Sequence, residues 1–270
     1  MIHFNSEKRS KNWRGQEITF VVPGETVGTI VNDCDFNPSV GARCNNTNSE
    51  QVTCIFFDTD DLANYQQLKW HRCRCFRMLH QSGDPYVSVE RTTNSSDQVK
   101  LRRTSLPFNE LEQLSAPPPA RNCKGGWFFK RLKRRQLRPV CKASFTRMYL
   151  SNITSDSKTV VSIDRSFVCE TASGLNLTPV TNGTPFLNDF AIVTVTYSNL
   201  FPLVAKCLMC QMQLTPSTVS TYHKAISACN PLAKAKIETA AFLTDGGSSS
   251  PLQPLTNSLN CDATTEEQYA

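Results

Sequence analysis

The apolar positions of this chain fall in short alternating runs rather than in long helical stripes. Val52-Thr-Cys-Ile-Phe-Phe57, Tyr86-Val-Ser-Val-Glu90, Val99-Lys-Leu-Arg102, Thr159 to Val168 and Ala191-Ile-Val-Thr-Val-Thr-Tyr197 are brief and rich in β-branched or aromatic residues. Polar or Gly/Asn/Pro-rich stretches bound them, including the loop from Gly174 to Pro185. Such runs predict strands, in which successive side chains point to opposite faces. In the last run Val193, Val195 and Tyr197 share one face, and Thr194 and Thr196 the other. Near the start, Glu17 to Val22 and Glu25 to Val31 flank Pro23-Gly24, a turn dipeptide, and predict a hairpin.

Helical signals are fewer. Asp60-Asp61 caps a predicted helix carrying Leu62, Tyr65 and Leu68, and Asn109 caps another over 109–114. Ser217 to Ala228 places Val219, Tyr222 and Ile226 on one stripe, and a last helix runs from Pro231 to Leu243, stopped by Gly246-Gly247. The expected fold class is mainly β (α+β), with a few short helices and no transmembrane segment. The proline run Pro117-Pro118-Pro119 makes 115–122 a stiff linker. The expectation is therefore two small domains: an N-terminal β-rich domain over 1–114, and a C-terminal one over 123–245 that starts with a basic segment. Residues 246–270 read as a flexible tail.

Charge sharpens the picture in one place. Lys and Arg exceed Asp and Glu by 29 to 23, so the formal net charge is +6. That modest excess favours anionic partners, and it is concentrated between Cys123 and Cys141. There Lys130, Arg131, Lys133, Arg134, Arg135 and Arg138 are the expected phosphate contacts, and Trp127, Phe128 and Phe129 the expected stacking faces for bases. Two other readings compete: a dibasic processing site at Arg131-Leu-Lys-Arg134, and a solvated basic loop. Cys-Lys-Gly, then Phe-Phe-Lys-Arg, then a second cysteine also resembles the recognition-helix segment of nuclear-receptor zinc modules. Gly126-Trp127 interrupts that pattern, and the module's further cysteines are missing, so no residue role is carried over.

Sulfur gives the sharpest ligand spacing. Cys207-Leu-Met-Cys210, twelve residues, His223, five residues and Cys229 match a zinc finger whose last histidine is cysteine. A closed Cys3His set predicts structural zinc with no open coordination position. The competing reading is ordinary thiols with His223 exposed on a helix. Nothing near the N-terminus resembles the apolar core of a signal peptide, so the expected compartment is intracellular, the nucleus included. No phosphate-cradling glycine loop, Gly-x-Ser-x-Gly or His-Glu-x-x-His occurs.

These features predict a non-enzymatic nucleic-acid-binding protein with a structural zinc site, and no integral membrane contact. The first alternative is a secreted glycoprotein for cell-surface interaction or signalling, stabilised by disulfides among its 12 cysteines and cleaved at Arg131–Arg134. Its sequons would lie at Asn45, Asn94, Asn152, Asn176 and Asn182. The second alternative is a viral structural protein.

Overall fold

The alternating runs build a sheet that closes on itself. The computed structural model describes residues 13–33, 49–66, 74–95, 98–111, 124–154, 157–198, 200–217 and 220–230. Its strands are β1 (Trp13–Pro23), β2 (Glu50–Asp58), β3 (Arg74–Gln81), β4 (Tyr86–Ser95), β5 (Gln98–Pro107), β6 (Arg138–Thr154), β7 (Ser157–Thr171), β8 (Thr184–Phe186) and β9 (Phe190–Tyr197). Its α-helices are α1 (Thr26–Asp33), α2 (Ala63–Gln66), α3 (Gly126–Arg135), α4 (Leu203–Cys210) and α5 (Thr221–Cys229). The strand order is β6-β2-β3-β4-β5-β1-β9-β7-β8, and β6 also pairs with β7. That added pairing joins eight strands into a ring and leaves β8 outside it on β7. Every pairing is antiparallel. A closed ring has no exposed edges between its members.

The mainly β expectation holds. The division into two domains is not confirmed, because strands from both sides of 115–122 share this one barrel. β2 pairs with β6, and β1 pairs with β9. The Pro-rich stretch itself, the helix expected over 231–243 and the tail over 246–270 lie outside the described residues. The expected hairpin at Pro23-Gly24 is corrected, since its second arm is α1. Val27, Ile30 and Val31 fall on one side of that helix and pack on the barrel with Phe20, Val22 and Val193. Their β-branched side chains suit a strand, yet their three- and four-residue spacing also makes one apolar helix face, and packing decides between the two. Among the described residues no helix is long and apolar enough to cross a membrane.

Alternation divides the barrel wall. Outside, α1 and α4 cover β1, β9, β6 and β7, burying Phe20, Leu150, Ile163, Val195, Ala205 and Leu208. α3 covers β2 to β5, with Phe128 and Leu132 set among Ile55, Phe57, Phe76, Met78, Val89 and Leu106. Gly125 begins α3 at φ 76°, and a Cβ there would lie 2.8 Å from Leu106 Cδ2, so only glycine fits both the turn and the contact.

Candidate functional site: the barrel lumen

The inward residues are fixed by register. Phe56, Arg77, Glu90 and Arg103 lie opposite one another across β2, β3, β4 and β5. Arg77 also reaches Glu17 on β1, Nη2 to Oε2 3.6 Å. β3 and β1 are separated by two strands in the ring, so this contact crosses the lumen. Arg147 on β6 faces Asp164 on β7, and Thr194 and Thr196 of β9 line the same interior.

The lumen charges are tightly matched. Glu90 is 1 % exposed and receives Arg77 Nε at 2.7 Å and Arg103 Nε on its other oxygen. Burial pushes its carboxyl up, but Arg103 and Arg77 outweigh that and hold it at about 2. Burial works against the charged form of Arg77, and Glu90 and Glu17 more than offset it, so its pKa is raised. Arg147 grips Asp164 bidentately, Nε–Oδ1 2.6 Å and Nη2–Oδ2 2.6 Å, and its guanidinium lies over the Phe145 and Tyr149 rings. Burial opposes the Arg147 charge too, and Asp164 reverses the balance upward. Between the two ion-pair groups lies Cys54, whose thiol burial pushes well up.

One end of the lumen is apolar and stoppered. A bulge near Phe145 and Ser166 shifts the β7 register, so Phe167 and Cys169 follow Asp164 inward. They join Phe56, Cys141 and Phe145 beneath Tyr222, Ala225 and Ile226 of α5. Asp58, fully buried, ties the stopper down. Its carboxylate accepts from the backbone N–H groups of Thr59, Asn64 and Tyr65 at 2.8–3.0 Å, from Asn64 Nδ2 at 2.8 Å and from the Tyr222 hydroxyl. Asp58 and Thr59 thus organise the start of α2, the role the sequence suggested for Asp60-Asp61. Burial, then Asp58, pushes the Tyr222 hydroxyl pKa up.

The residues expected to bind nucleic acid are placed otherwise. All but Arg138, which opens β6, lie on α3. Phe128 is fully buried, edge-on to Phe57 and tilted against Phe76. Trp127 donates Nε1–H to Thr104 Oγ1 at 2.9 Å, and Phe129 packs on the same apolar group. Phe128 is spent on holding the helix to the barrel, while Trp127 and Phe129 pack beside it half-buried. Lys130, Lys133 and Arg134 are exposed, Arg131 and Arg135 are half-buried, and exposed Arg138 pairs with Asp60.

The zinc quartet is not brought together either. Cys207 and Cys210 lie on α4, which packs with the α1 side of the barrel, while His223 and Cys229 lie on α5 over the stoppered end. His223 stacks on Tyr65, 5.4 Å between centroids, and burial lowers its pKa. Cys229 Sγ lies 3.5 Å from Cys141 Sγ. No group of three or more His, Cys, Asp or Glu able to hold a metal occurs among the described residues, and the seven described cysteines form no disulfide. Cys141 and Cys229 are expected to join when a diazene oxidant takes their two electrons and two protons. Peptide mapping would show that link, about 2 Da lighter than the thiols. A Cys141→Ser variant that still traps Cys229 in an intramolecular bridge would show that a different thiol is its partner.

An antiparallel barrel with a belt of paired charges across its lumen is thus the architecture in which the site sits. The chain belongs to the VTC domain family, whose model matches residues 15–230. No curated protein matches the chain in direct comparison. Among solved structures it is similar to a Bacillus halodurans protein provisionally described as an adenylate cyclase, at 10 % identity and TM-score 0.44, covering 77 % of this chain and 94 % of that one. It is also similar to a Hippeastrum protein provisionally described as an adenylyl cyclase, with a dominant triphosphatase activity. There the identity is 11 % and the TM-score 0.43, over 80 % of this chain and 96 % of that one. These likenesses are too distant to carry chemistry across.

Family membership overturns the nucleic-acid-binding expectation, and with it the secreted-glycoprotein and viral-structural alternatives. The lumen charges went unnoticed in the sequence because Glu17, Arg77, Glu90, Arg103, Arg147 and Asp164 are scattered singly over six strands. The one available signal was the charge standing among alternating apolar positions in two of the runs, Glu90 in Tyr86–Glu90 and Asp164 in Thr159–Val168.

Proposed function

We propose that this chain takes a triphosphate-class anion into the open part of its barrel lumen, with Arg77, Arg103 and Arg147 as the phosphate contacts. The observation that carries this reading is their convergence: three guanidiniums from three strands enter one interior. Arginine's planar fork suits phosphate oxygens, and each charge-assisted contact is worth more in a partly desolvated site than in water. Arg103 is the most open of the three, at 35 % side-chain exposure, and is the first to meet an entering anion. Glu17, Glu90 and Asp164 orient the guanidiniums while the lumen is empty.

Calorimetric titration with tripolyphosphate in magnesium buffer tests the reading. Saturable binding is expected, weakened about tenfold or more by Arg77→Gln or Arg147→Gln. Absence of binding by the wild-type barrel would sink it. A parallel measurement of phosphate release tests for turnover.

One observation supports a second reading of the same site. Three lumen arginines face Glu17, Glu90 and Asp164, and Glu50 on β2 stands opposite Arg147, so the carboxylates at least balance the guanidiniums. An anion must displace those carboxylates or arrive with cations. A barrel so balanced would bind tripolyphosphate weakly and release no phosphate, as a non-catalytic member of its family. Tight binding with steady release excludes it.

A further inference from the structure

We propose that the outer wall of the barrel carries a second anion site, for a multiply charged phosphate group, where α3 lies beside β3, β4 and β5. Arg91, Arg102 and Arg14 sit directly opposite one another on three neighbouring strands, β4, β5 and β1. They alternate with Glu90 and Arg103 along their strands, so they point away from the lumen. Trp127, Arg131 and Arg135 recur at four-residue spacing on α3 and form one stripe of that helix, beside the Phe128/Leu132 stripe that docks it. The Trp127 ring stacks on Arg102, with Cζ 4.1 Å from its centroid, which registers the stripe against the arginine row.

Like charges opposed across strands repel, and among the described residues no carboxylate pairs with them. None of the ion pairs among the described residues involves Arg91, Arg102, Arg131 or Arg135. The Nε–H groups of Arg91 and Arg102 are buried and have no hydrogen-bond partner. Burial and the surrounding guanidiniums Arg131, Arg102, Arg74 and Arg14 push the Arg91 pKa down, and burial with Arg14 and Arg131 does the same to Arg102. The lumen arginines, by contrast, are each matched to a carboxylate. Unpartnered buried donors in a cluster of one sign define a place where an anion is missing. Several phosphate oxygens on one ligand would pair with the accessible ends of these guanidiniums and offset the repulsion together. Free oligophosphate and the phosphorylated headgroup of a lipid share that chemistry.

The site has its own reporter. In a Trp13→Phe, Trp70→Phe background, Trp127 is the only tryptophan, since the chain has three. Tripolyphosphate added at physiological salt is expected to change Trp127 emission saturably. Arg91→Gln with Arg131→Gln should weaken that response about tenfold or more, while Arg77→Gln with Arg147→Gln in the lumen should leave it in place. Arg131→Gln alone, on a half-buried helix position, should weaken it less and guards against misfolding of the double variant, which circular dichroism checks. Flotation with phosphatidylcholine vesicles containing a phosphatidylinositol bisphosphate separates the sources. Flotation lost in the same outer variant assigns a lipid headgroup, and soluble binding without flotation assigns free phosphate. Trp127 emission that stays unmoved by millimolar tripolyphosphate, or a response abolished only by the lumen variant, overturns the proposal.

Discussion

The Glu90→Gln variant is expected to melt roughly 10 °C below the parent barrel. Glu90 is the shared carboxylate of Arg77 and Arg103 and is almost wholly buried. A neutral amide leaves two guanidiniums without their counter-charge, and breaking a buried ion pair from one side costs about 3–5 kcal/mol. At about 2–4 °C per kcal/mol for a domain of this size, the shift is large enough to read in a thermal scan. The pH dependence carries the same signature. The folded-state carboxyl is depressed from 4.5 to about 2, so its stabilisation is full above pH 4.5 and drains away as pH falls toward 2. The gap in melting temperature between parent and variant should narrow across that window. A gap that stays constant down to pH 2.5 would mean that the carboxylate's charge is not what the arginines need.

Asp58→Ala is expected to cost at least about 3 kcal/mol, because each buried donor left without its acceptor costs about 1–3 kcal/mol. Its carboxylate gathers three backbone N–H groups, one side-chain amide and the Tyr222 hydroxyl. The loss should be local first. α2 loses its organising acceptor and α5 loses its anchor, so amides of both should exchange faster with solvent water than those of β4 and β5. Tyr222→Phe removes one donor together with its need and should cost far less. The two changes share one hydrogen bond, so their combined cost should fall short of the sum. Additive costs would show that Tyr222 is held by its ring contacts with Phe56 and Tyr65 rather than by Asp58.

Much of the wall was legible in the sequence because strands with two chemically distinct faces alternate visibly. The run Ala191–Tyr197 separates a threonine face from an apolar face, and in the barrel these are the lumen and the outer layer under α4. Closure was not legible. It rests on β6 pairing with β2 and on β1 reaching β9, contacts between residues far apart in the chain. α3 was misread for a related reason. Lys130 to Arg135 dominates its composition, while the two residues that decide its placement, Phe128 and Leu132, are visible only as one i, i+4 pair. The Cys207–Cys229 spacing looked like a ligand set, but linear spacing says nothing about which layer each helix packs against.

The seam between β1 and β9 also fixes the order of assembly. During synthesis β3, β4 and β5 emerge together and can pair at once as neighbours, whereas β1 must hold its other side open until β9 leaves the ribosome. Phe20 and Val22 are fully buried in the finished molecule and lack that cover throughout the wait. Such long-range pairing is slow, and an uncovered apolar strand edge invites association with other chains. The nascent polypeptide is therefore most vulnerable between the emergence of β1 and that of β9, when a chaperone that shields the leading strand would raise the yield of closed barrels.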